Sequence, residues 1–101
     1  MWVIEETTEV RKLLEKDFKS GRITRDDIIV IKKWYADMEK LGPEAVMSLG
    51  KYDDHHLDGD WHGHRSACFS PSGRIIYTVV EDKILVKVVR ITPDHNYIRR
   101  P

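Results

Sequence analysis

WHGHRSACFSPSGRIIYTVVEDKILVKVVRI, residues 61–91, is the stretch whose reading decides the fold. From Trp61 onward the apolar residues recur with a period of two, as in strands whose side chains alternate between faces. In WHGHRSACF (61–69), alternation puts Trp61, Gly63, Arg65, Ala67 and Phe69 on one face and His62, His64, Ser66 and Cys68 on the other. SPSG (70–73) carries the Pro and Gly of a turn. RIIYTVV (74–80) and KILVKVVRI (83–91), joined by a tight Glu81-Asp82 link, are rich in Ile and Val and read as sheet strands, the first at least partly buried. The chain leaves the sheet at Pro93 in a polar tail.

Upstream the period changes. WVIEE (2–6) is a short candidate strand, and Thr7 or Thr8 is placed to cap a helix. Val10, Leu13, Leu14 and Phe18 then fall on one helical stripe, with Gly21 as a stop. Thr24 precedes a second helix whose Ile28, Ile31, Tyr35 and Met38 share a face, with Ile29 and Trp34 near its edges. Gly42-Pro43 ends it, PEAVMSLG (43–50) reads as one more turn or short helix, and KYDDHHLDGD (51–60) as a polar loop. The order is β-α-α-β-β-β. The expected fold is an α+β domain over residues 1–101, two N-terminal helices covering one face of a small antiparallel sheet.

The 101 residues, 41% apolar in short runs, are enough for one modest core and argue against global disorder. No apolar run reaches the ~20 residues of a membrane helix, and the acidic N-terminus is unlike a secretion signal. With one cysteine, Cys68, no internal disulfide is available, so the expected location is the cytoplasm, with no membrane partner. Cys68 reads as a small buried filler rather than a nucleophile. Formal charge is zero but uneven: residues 1–60 hold ten Lys/Arg against fourteen Asp/Glu, residues 61–101 seven against three. The cationic half also carries His62, His64 and His95, with His55 and His56 just before it, and suits a polyanion.

Two kinds of chemistry compete for the histidines. A zinc site would draw on His62, His64, His55 and the nearby Asp53, Asp54 and Asp58, but their spacing matches no strong zinc pattern, so no metal and no cofactor are expected. Acid–base cleavage of RNA needs a base for the ribose 2′-hydroxyl, an acid for the leaving 5′-oxygen, and cations for the charge growing on phosphate. Histidine titrates near neutrality, and arginine matches phosphate oxygens in pairs. This stretch supplies both.

His55 followed by L-x-G-x-W-x-G-x-R-S (57–66), R-I-I-Y (74–77) and DHNY (94–97) resembles the RelE/ParE superfamily of bacterial toxins, in particular its RelE, YafQ and YoeB-like RNA-cleaving branch. The likeness spans nearly the whole chain and is most specific over W-x-G-x-R and R-I-I-Y. It implies a type II toxin that cleaves mRNA on the ribosome without metal, and a cognate antitoxin that covers the basic site, with an acidic helix. By position, it makes Arg74 the arginine on the scissile phosphate and His55 a catalytic histidine. His95 takes the place of a catalytic group in the tail, and Tyr97 that of a terminal aromatic beside the substrate. His62, His64 and Arg65 lie on the strand where RelE keeps working lysines, His64 being favoured over His62 as the catalytic group. Arg65, with His62, would bind substrate or be structural. The chain departs from the pattern at Cys68, where YafQ-like members have a further histidine, at Ser72-Gly73, which replaces an acid–tryptophan pair, and in its zero net charge. The alternatives are a ParE-like gyrase-binding toxin and a non-catalytic binding module on the same fold.

Overall fold

The computed structural model describes residues 1–94. His95 and Tyr97 lie outside them. β1 (Val3–Glu6) leads into α1 (Thr8–Lys19), where Val10 N–H donates to the Thr7 hydroxyl at 3.0 Å. A capping box opens α2 (Arg25–Leu41): Asp27 N–H donates to the Thr24 hydroxyl at 3.1 Å, and Thr24 N–H to the Asp27 carboxylate at 2.9 Å. Gly42 ends α2 with φ of +84°, and a Cβ there would lie 2.6 Å from Nε1 of Trp2, so both backbone and packing require glycine. Pro43 then starts α3 (Pro43–Ser48).

The remaining elements are β2 (His55–His56), β3 (Arg65–Cys68), β4 (Arg74–Val80) and β5 (Leu85–Thr92), and the sheet order is β1-β5-β4-β3-β2. The expected α+β class and hairpin order hold. The sheet is mixed, however: β1 pairs parallel with β5 while every other pairing is antiparallel. Turn residues announce hairpins between consecutive strands; no local signal announces a pairing between the two ends of a chain.

One cluster of buried residues joins Val10 and Leu14 of α1, Ile31, Trp34 and Met38 of α2, and Ala67, Ile75, Tyr77, Val86, Val88 and Ile91 of the sheet. Trp34, expected near the edge of its face, is at the centre, its ring edge-on to Tyr77 at a centroid distance of 5.1 Å. The α1 stripe is rotated from the expected one. Asp17 is buried while Leu13 and Phe18 are 38% and 44% exposed, because Asp17 and its carbonyl organise the turn into α2, pairing with Arg22 and accepting from Ile23 N–H.

β3 is shorter than the alternation from Trp61 predicts. Gly59 to Trp61 form a 3-10 turn, Gly59 and Gly63 have φ of +64° and +87°, and His64 N–H closes onto the Trp61 carbonyl at 2.9 Å. His62 and His64 therefore sit on a folded loop, not on a strand. Conversely, two residues of the expected polar loop, His55 and His56, pair with Ser66 and Arg65 as the edge strand.

Candidate active site

Register assigns the two faces of the sheet. Ile75 and Tyr77 belong to the helix-side core, so Arg74, Ile76 and Thr78 point to the other, outer face, and with them their neighbours Cys68, Ser66 and Thr92. His55, opposite Ser66, is on this outer face; His56, opposite Arg65, is on the helix side. A bulge adds Arg90. Ile76 pairs with Arg90 but the next residue, Tyr77, pairs with Val88, so Val89 is an extra residue on β5. Strict alternation from the buried Val86 and Val88 would send Arg90 into the core. The bulge turns it to the outer face beside Arg74.

This face is partly covered. The Thr78 hydroxyl donates to the Gly63 carbonyl at 2.9 Å, and the Arg90 guanidinium lies 5.6 Å from the centre of the Trp61 ring, which is 4% exposed. The His64 ring meets Trp61 edge-on at 5.4 Å. The 59–64 loop thus lies on the middle of the sheet, where Ile76 and Ser66 are wholly buried.

Arg74 is not the peripheral cation that its position in RIIY suggests. It is 9% exposed, and its Nη1 donates to the carbonyls of Gly73 at 2.8 Å and of Ser70 and Pro71 at 3.3 Å each. It holds the β3–β4 turn while its charge remains at the end of the strand. Beside it, burial pushes the Cys68 thiol up, with Asp53 and Asp54 adding to the shift and Arg74 opposing it, so the group is a neutral thiol rather than a nucleophilic thiolate. His55 is exposed, its Nδ1 2.9 Å from the Asp53 carbonyl. It stands two strands over and two residues along from Arg74, which ideal sheet spacings make ~12 Å between Cα atoms. The chain that leads to His95 is held at the same end of the sheet: the Ser72 hydroxyl donates to the Pro93 carbonyl at 2.9 Å, and Arg22 pairs with Asp94 at 2.9 Å.

A second cluster lies on the helix side. The Asp54 carboxylate, 1% exposed, accepts from Arg65 Nε at 2.6 Å and from the Tyr77 hydroxyl. Burial alone would lower the Arg65 pKa, but the hydrogen bond and charge of Asp54 outweigh it and raise it. Burial, reinforced by Asp54, pushes Tyr77 up. Arg65 is therefore a fixed, permanently charged strut. Its Nη1 lies 3.1 and 3.2 Å from the two ring nitrogens of His56. Arg65, His56 and His64 line one groove of about 610 Å³, closed on its other side by Trp2, Glu44 and Met47.

The expected site residues thus fall into two groups. Arg74 and His55 share the outer face with Arg90, whose place there has no sequence signature because the bulge has none. His64 and Arg65 share the groove with His56, which is not among the expected site residues. His62 is exposed on the loop, and its carbonyl lies 3.4 Å from His64 Nδ1. Among the described residues, no group of three or more His, Cys, Asp or Glu side chains is arranged to hold a metal ion.

No protein-family model matches the chain, and no curated protein does either. Solved structures do. YafQ in the DinJ–YafQ toxin–antitoxin complex of E. coli is 25% identical, with a TM-score of 0.67 over 96% of each chain. A metal-bound toxin from Helicobacter pylori is 22% identical, with a TM-score of 0.68 over 97% of this chain and 99% of that one. The YoeB–YefM complex from Staphylococcus aureus is 13% identical, with a TM-score of 0.66 over 91% of this chain and 95% of that one. Nearly end-to-end superposition on chains whose sequences have diverged this far is a statement about architecture: this chain has the fold of the RelE/YafQ/YoeB-like toxins.

Proposed function

We propose that this chain is the toxin of a bacterial type II toxin–antitoxin pair and that it cleaves mRNA as an endoribonuclease that uses no metal. The observation that carries the reading is the pair of guanidinium groups, Arg74 and Arg90, on one sheet face beside the exit of the chain toward His95. Diagonal neighbours of this kind have Cα atoms ~7–8 Å apart, close enough for Arg90 and the part of the Arg74 guanidinium not engaged with the turn to take one phosphate between them. The 2′-oxygen attacks phosphorus and the bond to the 5′-oxygen breaks, leaving a 2′,3′-cyclic phosphate and a 5′-hydroxyl. Arg74 and Arg90 stabilise the added charge on the phosphate. His95 serves as general acid or base, with His55 as its partner. Tyr97 stacks on a base, and His62, His64 and Arg65 hold the RNA on either side. The substrate is mRNA on the ribosome, the regulator a cognate antitoxin, and the location the cytoplasm. That the related YafQ and YoeB chains were solved with DinJ and YefM as toxin–antitoxin complexes supports the partner.

The burial of Arg74 favours a second reading, a non-catalytic binding module on the same fold. Cleavage assays decide between them. The purified chain, with and without ribosomes and in the presence of EDTA, is expected to yield RNA fragments with 5′-hydroxyl ends. Arg90→Ala and Arg74→Ala should each slow cleavage by about 10- to 1,000-fold. Arg90 is the cleaner test, because Arg74 also supports a turn. Growth arrest with intact mRNA and altered DNA supercoiling would instead indicate a gyrase-directed toxin, and antitoxin binding without arrest a non-catalytic one.

A further inference from the structure

We propose that the groove on the helix side of β2 binds one nucleotide of single-stranded RNA, with a preference for bases that carry an exocyclic amine. This rests on the nuclease reading and extends it to a subsite on the opposite face of the sheet from Arg74. β2 is the last strand of the sheet and only two residues long. Alternation turns the first of its residues, His55, to the outer face and the second, His56, to the helix side. An RNA strand in contact with His55 meets no further strand beyond it, so it passes over this edge and down to His56.

What it meets there is a built site. The groove's volume, about 610 Å³, falls in the range, ~300–1,000 Å³, of sites that enclose a small organic group. Its wall on the strand side is lined by His56, His64 and Arg65. Arg65 is held in place by a carboxylate that is itself 1% exposed, so it binds a ligand without losing rotamer freedom of its own. Its facing wall carries the apolar residues Trp2, Pro43 and Met47 beside Glu44. A nucleotide has the same two-sided character: a flat base for the apolar and aromatic surfaces, and an anionic, hydroxylated backbone for the imidazoles and guanidinium.

Glu44 sets the preference. It is the one carboxylate on the groove's lining among the described residues, and it stands on the α3 side, away from Arg65. A carboxylate only accepts hydrogen bonds at neutral pH, so it repels phosphate and favours a donor. Adenine, cytosine and guanine carry an exocyclic amine that donates there; uracil offers only its ring N3–H, flanked by two carbonyl oxygens that a carboxylate repels.

The test uses the full chain and 2′-O-methyl oligonucleotides, which bind without being cleaved. With adenine or cytosine tetramers, binding measured by fluorescence anisotropy should weaken about 10- to 100-fold in His56→Ala, the range of one lost hydrogen bond to a charged group. The resonance of the Met47 methyl group should shift on titration with the same tetramers. Glu44→Ala should bring uracil and adenine tetramers to within about 2-fold of each other, from a difference of about 5-fold or more in the parent chain. Both substituted residues are exposed, so folding is preserved. Unchanged affinity in His56→Ala, or a Met47 methyl that responds to an antitoxin-derived peptide and not to RNA, overturns the proposal. Binding through the groove by a chain that cleaves nothing would defeat the nuclease reading and leave the subsite standing.

Discussion

Removing Asp54 is the sharpest test of how the candidate site is held. Its carboxylate is 1% exposed and serves two groups at once, Arg65 Nε at 2.6 Å and the hydroxyl of Tyr77, a residue with no solvent exposure. Asp54→Ala leaves an arginine side chain with 18% exposure and a buried phenol without their shared acceptor. Breaking a buried ion pair from one side costs about 3–5 kcal/mol, since the remaining charge is uncompensated. An orphaned neutral hydroxyl adds about 1 kcal/mol, partly overlapping. A loss of about 4 kcal/mol is a large part of the ~5–15 kcal/mol available to a domain. Asp54→Asn keeps an acceptor for Tyr77 and should lose about half as much. Urea denaturation followed by circular dichroism reads these differences as shifts in midpoint at constant slope. Asp54→Ala/Arg65→Met should be more stable than Asp54→Ala alone, because the stranded charge is gone, with a coupling of about 2 kcal/mol. Additive single and double mutants, or a loss below about 1 kcal/mol for Asp54→Ala, would show that Asp54 does not organise this cluster.

Other expectations follow from single residues. Hydrogen bonds from Lys33, together with those from Tyr52 and Lys51, overcome burial and hold the Asp37 carboxyl at about 2, below its ordinary 3.8. Its stabilisation is complete above pH ~4 and is lost as pH falls toward 2; it is worth about 1–2 kcal/mol after discounting for lysines that are 61% and 48% exposed. Asp37→Asn should flatten that acid limb of a stability–pH profile. Ile84 has φ of +50° and is exposed, a conformation that costs a β-branched residue about 1–2 kcal/mol. Ile84→Gly should raise the urea midpoint, and a lowered midpoint would count against the strain. Arg74→Ala should cost about 1–3 kcal/mol in the same assay because it removes the donor to three turn carbonyls, whereas the half-buried Arg90→Ala should cost less than about 1 kcal/mol.

The sequence alone determined the caps, the breaks between helices and the central strands, which depend on neighbours along the chain. Thr7 or Thr8 and Thr24 mark the helix caps, Gly42-Pro43 separates α2 from α3, and the period of two from Arg65 to Cys68 and from Arg74 to Val80 marks strands, because caps, turns and alternation are set within a few residues. The motif residues that carry the likeness to the toxins, W-x-G-x-R and R-I-I-Y, were legible for the same reason. Tertiary structure decided what lies opposite what. Only the β4–β5 register reveals the bulge at Val89 that moves Arg90 to the face of Arg74, and only the pairing of His55-His56 with β3 divides the histidines between two faces. Two glycines with positive φ fold His62 and His64 off the strand that alternation predicted for them. Burial of Arg74 and the Asp54–Arg65–Tyr77 cluster likewise join residues far apart in the chain. Periodicity records which side of an element is apolar; the polar groups of a site converge through long-range pairing, which leaves no periodic trace.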